Sequence, residues 1–140
     1  MSLLDKDLTL SEKHIYAICL AYILNLSQHS DNAQREYLEK QMGDIGLAAP
    51  ELKKLKKTKT ESVIKELQTI ADIRIRRFIL REMILLAIAD HEISDKEIET
   101  IYTIGMKIGI KQEKINDFFI WAAKGIEWQI EGSQLVDEDL

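Results

Sequence analysis

Four carboxylates lie close together in the segment IADHEISDKEI, between two apolar stretches; they are Asp90, Glu92, Asp95 and Glu97. Such oxygen ligands suit a hard divalent cation, for example calcium or magnesium. Helix capping is the alternative, because Ser94 and Glu97 have the spacing of a capping box and Asp95 would complement the helix dipole. Capping accounts least well for Asp90. The segment therefore predicts either a single cation site around Asp90 or only a boundary between two helices.

Other residues with chemical potential form no recognisable catalytic arrangement. Cys19 lies on an apolar stripe with Ile15 and Tyr22, which predicts a buried, unreactive thiol. His29 and His91 lie in similar polar breaks, and the fold could bring them together around a transition metal, but surface loop positions are the simpler interpretation of both. The chain has no Ser-His-Asp set, phosphate-binding glycine loop or Glu-x-x-His pair. We therefore expect no enzymatic activity.

Composition limits the class of protein. The 140 residues, 46% hydrophobic and 31% charged, are enough for one domain with a substantial core. A net charge of −5 argues against a nucleic-acid partner, and runs such as Arg74, Arg76, Arg77 and Arg81 are usually solvated faces. The longest apolar run, 83–89, is too short to cross a membrane. With one cysteine and no basic-apolar leader, the sequence predicts a cytoplasmic protein without nucleic-acid or membrane partners.

The elements that would position these residues are predicted to be α-helices. Apolar residues recur at three and four positions through most of the chain, and the one proline is Pro50. Cap signals and glycines divide the pattern into six or seven helices, predicted at 11–26, 31–45, 49–57, 60–71, 73–89, 95–108 and 112–128. We expect an all-α domain over residues 1–130 and a loose acidic tail over 131–140.

The two halves of the chain repeat one order of features. A helix, a polar break, a capped helix and a glycine-apolar stop occur within 18–55 and again within 84–119. GDIGL at 43–47 falls where MKIGI falls at 106–110. A degenerate tandem duplication would explain this order, and it predicts two halves related by a pseudo-twofold axis.

The second half also resembles a known family. An apolar helix followed by A-D-x-E-I-S-x-x-E, I-x-x-I and G-M-K-I-G-I is similar to the TerB-like domain of bacterial tellurite-resistance proteins and of membrane-anchored DnaJ-type co-chaperones. Family members typically have Ala-Asp-Gly where this chain has Ala89, Asp90 and His91. The resemblance implies a non-catalytic helical domain, linked to stress or metal resistance, that binds metal through loop acids. Here those acids are Asp90 and Glu97.

The last predicted helix offers a different function. Trp121, Gly125 and Trp128 lie four and seven residues apart, on a face turned away from Phe119 and Ala122. Exposed tryptophans there would form a surface for a protein partner or for self-association. The alternative is that the helix lies across the body and buries both rings. The sequence thus leaves two function classes open, a metal-responsive module and a protein-interaction module.

Overall fold

The computed structural model describes residues 7–26, 32–44, 59–89 and 93–138, and these ranges contain six α-helices. The helices are α1 (Leu10–Leu26), α2 (Asn32–Asp44), α3 (Thr60–Gln68), α4 (Ile73–Ala87), α5 (Asp95–Lys107) and α6 (Gln112–Asp137). No strand occurs within these ranges, so the all-α prediction is confirmed. The helix predicted near Pro50 lies outside the described residues. The tandem repeat stays a prediction, because its first copy includes the same segment.

Two helices, α1 and α4, form the centre of the fold. Helix α1 packs against α2, α3 and α4, and α4 also contacts α2, α5 and α6. Both are buried over most of their length because their apolar residues spread around more than half of each helix. Tyr16 of α1 stacks on Phe78 of α4, with ring centroids 5.7 Å apart. The core of the domain is therefore centred on the contact between these two helices, and the other helices add buried residues around it.

The helix starts follow local capping chemistry. The Asp72 carboxylate accepts a hydrogen bond from the backbone N–H of Arg74 (2.8 Å), as predicted. Ser94 and Glu97 form the predicted capping box at the start of α5. A second box, not predicted, begins α1, where Thr9 and Glu12 exchange backbone-to-side-chain hydrogen bonds of 2.9 and 3.2 Å. The predicted helix starts one residue later than α1, because the prediction used Ser11 and not Thr9 as the starting signal.

One arginine joins the ends of two helices. The Arg76 guanidinium donates to the carbonyl oxygens of Gln68 (2.9 Å) and Ile70 (2.6 Å) at the end of α3, and to that of Ile108 (2.9 Å) just after α5. These carbonyls have no partner within their helices, and a cation there complements both helix dipoles. Arg76 therefore connects the ends of α3 and α5 within the domain, and its interpretation as part of a solvated basic face is wrong.

The turn from α5 to α6 depends on two glycines. Gly109 has φ of +89°, a left-handed conformation that ends α5 at the predicted place, and the N–H of Ile110 donates to the carbonyl of Gly105 (3.0 Å). Gly105 lets α5 approach its neighbours closely, because a Cβ there would lie 2.6 Å from Ile115 Cδ1 of α6. Tyr102 of α5 also stacks on Phe119 of α6, with centroids 5.4 Å apart. The first half of α6 is thus held firmly against α5.

Helix α6 is longer than predicted. It has 26 residues and continues past Trp128 to Asp137, through most of the segment predicted as a loose tail. No proline interrupts this segment, and Gly132 lies inside the helix rather than at its end. None of the described helices combines the length and apolar character needed to cross a membrane.

Candidate functional site

The second half of α6 extends beyond the helical body. Ile115 and Ala122 are its buried residues, and they lie in the first half. From position 123 to 138 every side chain is exposed except that of Ile126, which is half-buried. At about 1.5 Å per residue, this part of the helix adds roughly 24 Å to the molecule. It projects into solvent.

Large apolar side chains are exposed along this projection. Trp128 is 76% exposed, Leu135 67% and Val136 83%, and Trp121 at the edge of the body is 42% exposed. At 3.6 residues per turn, Trp121, Trp128 and Leu135 follow one another on a single face, with Gly125 and Gly132 between them. We call these five residues the α6 strip. The alternative in which the body buries both tryptophans is wrong.

The body supports only the inner end of the α6 strip. The Arg81 guanidinium of α4 lies over the Trp121 ring at 5.9 Å and over the Phe78 ring at 5.1 Å. Such cation–π contacts hold an aromatic ring in place. Trp128 lies two helical turns further out, where no described helix covers it. The strip is therefore anchored at Trp121 and free to meet another surface at Trp128.

The acidic segment is only partly described. Asp90 and Glu92 lie outside the described residues, and so does His91. Asp95 is exposed in the first turn of α5. Glu97 is 4% exposed, and its Oε1 accepts from the hydroxyl of Ser94 (3.1 Å) and from its backbone N–H (3.4 Å).

The other carboxylate oxygen of Glu97, Oε2, differs from Oε1 in its hydrogen bonding. Oε2 is buried and has no hydrogen-bond donor among the described residues. Within those residues, no three or more His, Cys, Asp or Glu side chains converge as they would around a metal ion. Of the predicted set of four acids, Glu97 thus belongs to the capping box and Asp95 lies in the first turn of α5. The cation site stays a prediction that depends on Asp90.

A buried polar cluster was not predicted. The amide nitrogen of Gln41 in α2 donates to the hydroxyl of Tyr16 in α1 and to Oε1 of Glu82 in α4, both at 3.0 Å. All three side chains are fully buried. Glu82 lies three and four positions from Ile79, Phe78 and Leu86, so the helical period alone places this acid on the core face. The cluster connects three helices within the core, and we assign it a structural role.

The remaining reactive groups are the cysteine and two of the histidines. Cys19 is fully buried, and this burial, together with the negative charge of Glu66, raises the pKa of its thiol far above the ordinary value. The predicted burial of the thiol is thereby confirmed, and its low reactivity stays a prediction. His14 is exposed in the first half of α1, and His29 lies outside the described residues.

Comparison of the chain with protein-family models, with curated proteins and with solved structures gave no match.

Proposed function

We propose that this chain is a protein-interaction module that binds another helical surface through the α6 strip. The observation that carries the proposal is the exposure of Trp128 on a helix that extends beyond the body. Contiguous exposed apolar side chains mark interaction sites, and tryptophan is among the residues that contribute most to binding.

The helix itself favours the same conclusion. An isolated helix shorter than about 12–15 residues is marginal in water, and each glycine inside one costs about 1 kcal/mol relative to alanine. The projecting half of α6 is of this length, contains Gly125 and Gly132, and receives little packing from the body. A partner that covers the α6 strip would supply the missing burial.

Site-specific photo-crosslinking tests this proposal. A benzoylphenylalanine in place of Trp128 is expected to give a discrete adduct in cells that express the chain. The same residue in place of Ala123, which is exposed on the opposite side of α6, is the control. The proposal fails if position 128 gives no adduct, or if both positions give the same adducts in equal yield.

A divalent-cation site in the 90–97 segment is the second candidate, as the TerB-like resemblance implies. The observation that favours it is Glu97 Oε2, a buried carboxylate oxygen without a donor among the described residues. Bound calcium, magnesium or zinc would raise the melting temperature by mass action, and Asp90→Asn should remove that rise. Glu97→Gln keeps the capping geometry and should weaken the response. If all three metals leave the melting temperature unchanged, the acids only separate two helices.

A further inference from the structure

We infer that the α6 strip pairs with the α6 strip of a second copy of this chain, and that the two helices run antiparallel. This inference rests on the proposed function and names its partner. Trp121, Gly125, Trp128, Gly132 and Leu135 alternate at spacings of four and three residues. Residues at these alternating spacings stay on one side of a helix and can contact a neighbouring helix over several turns.

The glycines point to a close approach from outside the chain. A Cβ at Gly105 would lie 2.6 Å from Ile115 Cδ1, so packing inside the domain requires that glycine. A Cβ at Gly125 or Gly132 would meet no described atom within 4 Å, so the domain does not require these two. Above Gly132, the side chains of Trp128 and Leu135 border an open hollow on the helix surface. Because Gly125 and Gly132 have no side chains, each leaves space on the helix surface, here called a seat, for a bulky side chain of another chain.

The alternation of large and small residues selects the direction of pairing. In a parallel pair in register, equal residues would face each other, so that Trp128 would crowd its copy while Gly125 and Gly132 left empty space. In an antiparallel pair, Trp128 faces the partner's Gly125 and Trp121 faces the partner's Gly132. Leu135 then faces the outer edge of the partner's body. Because protein interfaces pack without voids, the antiparallel arrangement is favoured.

Charge complementarity selects the same arrangement independently. Lys124 and Glu131 are exposed, and the helical period places both on the flank of the α6 strip that faces away from the body. In the antiparallel register that seats each tryptophan on a glycine, Lys124 lies opposite the partner's Glu131, and symmetry repeats the pair. A parallel pair would set Lys124 beside Gln129 and Glu131 beside Val136, with no ion pair. Size and charge therefore agree on one register.

The same register also limits the affinity. It brings Asp117 near the partner's Glu138 at each end of the pair, where both side chains are exposed to water. Like charges there oppose the two central ion pairs, although screening reduces the effect. The geometry thus points to a reversible dimer.

A charge-swap series in the purified full chain tests this register by sedimentation equilibrium. Lys124→Glu alone places Glu opposite Glu, and Glu131→Lys alone places Lys opposite Lys. Each single variant should dimerise about tenfold more weakly than the wild type, since two exposed pairs change from attraction to repulsion. An equimolar mixture of the two variants should form heterodimers at least as tightly as the wild type, and the double variant Lys124→Glu/Glu131→Lys should regain wild-type affinity. Circular dichroism of each variant checks that α6 remains helical.

A steric variant separates this packing from unspecific apolar association. Gly132→Leu adds an apolar side chain and favours helix, so it would strengthen unspecific association. In the antiparallel pair it fills the seat of the partner's Trp121, and the dimer should weaken at least tenfold. Trp128→Ala should weaken it more than thirtyfold, as expected for a buried tryptophan at the centre of an interface.

Three results would overturn the inference: a wild-type chain that stays monomeric at every concentration, single charge variants that dimerise like the wild type, or a tighter dimer of Gly132→Leu. The crosslinking experiment shows whether the proposed function fails together with this inference. If the chain is monomeric and position 128 still crosslinks to a different protein, the α6 strip binds that protein and not its own copy. If position 128 gives no adduct at all, both proposals fail.

Discussion

Replacing Arg76 with methionine should destabilise the fold substantially although the side chain is only half-buried. Methionine keeps the apolar stem and removes the guanidinium that joins the ends of α3 and α5. Three carbonyl oxygens then lose their donor. Hydrogen bonds to a charged group contribute about 1.5–3 kcal/mol each.

The three bonds are not equivalent. Those to Ile70 and Ile108 are partly buried, whereas the bond to Gln68 is exposed, so water can replace it. Taking the lower limit for the two partly buried bonds and little for the third, we expect a loss of about 3 kcal/mol. Arg76→Lys keeps the charge, but one ammonium group cannot span three carbonyls, so about half of that loss should remain.

Urea unfolding, monitored by circular dichroism, measures this loss. The slope of the free energy of unfolding against urea concentration should stay unchanged. Arg74→Met is the matched control, because Arg74 is exposed on the same helix and its bond to Asp72 comes from the backbone. The control should lose less than about 0.5 kcal/mol. If Arg76→Met loses no more than the control, the helix-end carbonyls do not depend on the guanidinium.

Two further predictions concern the core. Gly105→Ala should lower the free energy of unfolding by about 1–2 kcal/mol. The steric cost of the methyl group against Ile115 should exceed the stability that alanine gains from its higher helix propensity. Gly125→Ala, measured by urea unfolding in the same way, should leave the fold equally or more stable, and equal losses in both variants would contradict the packing argument. Cys19 should react with a thiol reagent at pH 8 only as fast as the protein unfolds, because burial raises the pKa of its thiol. Reaction at the rate of a free cysteine in the folded protein would show that the site is open.

The parts of the fold that could be predicted from the sequence are those that depend on nearby residues. The caps at Asp72 and Ser94 each use side chains within three positions, so their signals are complete in the sequence. The glycine stop at Gly109 depends on one backbone conformation. The burial of Cys19 followed from the helical period.

The remaining features depend on contacts between distant segments. The sequence placed Trp121 and Trp128 away from the inner face of α6, but it did not show how far the body extends along that helix. Gly132 was interpreted as part of a loose tail, because a glycine near a chain end looks the same inside a helix and after one. Arg76 finds its carbonyl partners only when α3 and α5 end at the same place, and a charge run gives no sign of this.

The cluster of Tyr16, Gln41 and Glu82 has a consequence for how this chain can change over evolutionary time. One amide nitrogen has two hydrogens, and in Gln41 they serve residues on two other helices. An asparagine would be too short to reach both. An apolar residue would remove the hydrogen bond that the buried carboxylate of Glu82 receives from α2. A substitution at any one of these positions therefore demands compensation at the others. In homologous chains the three positions should be inherited together, and they would identify relatives after the surface of the helices has diverged.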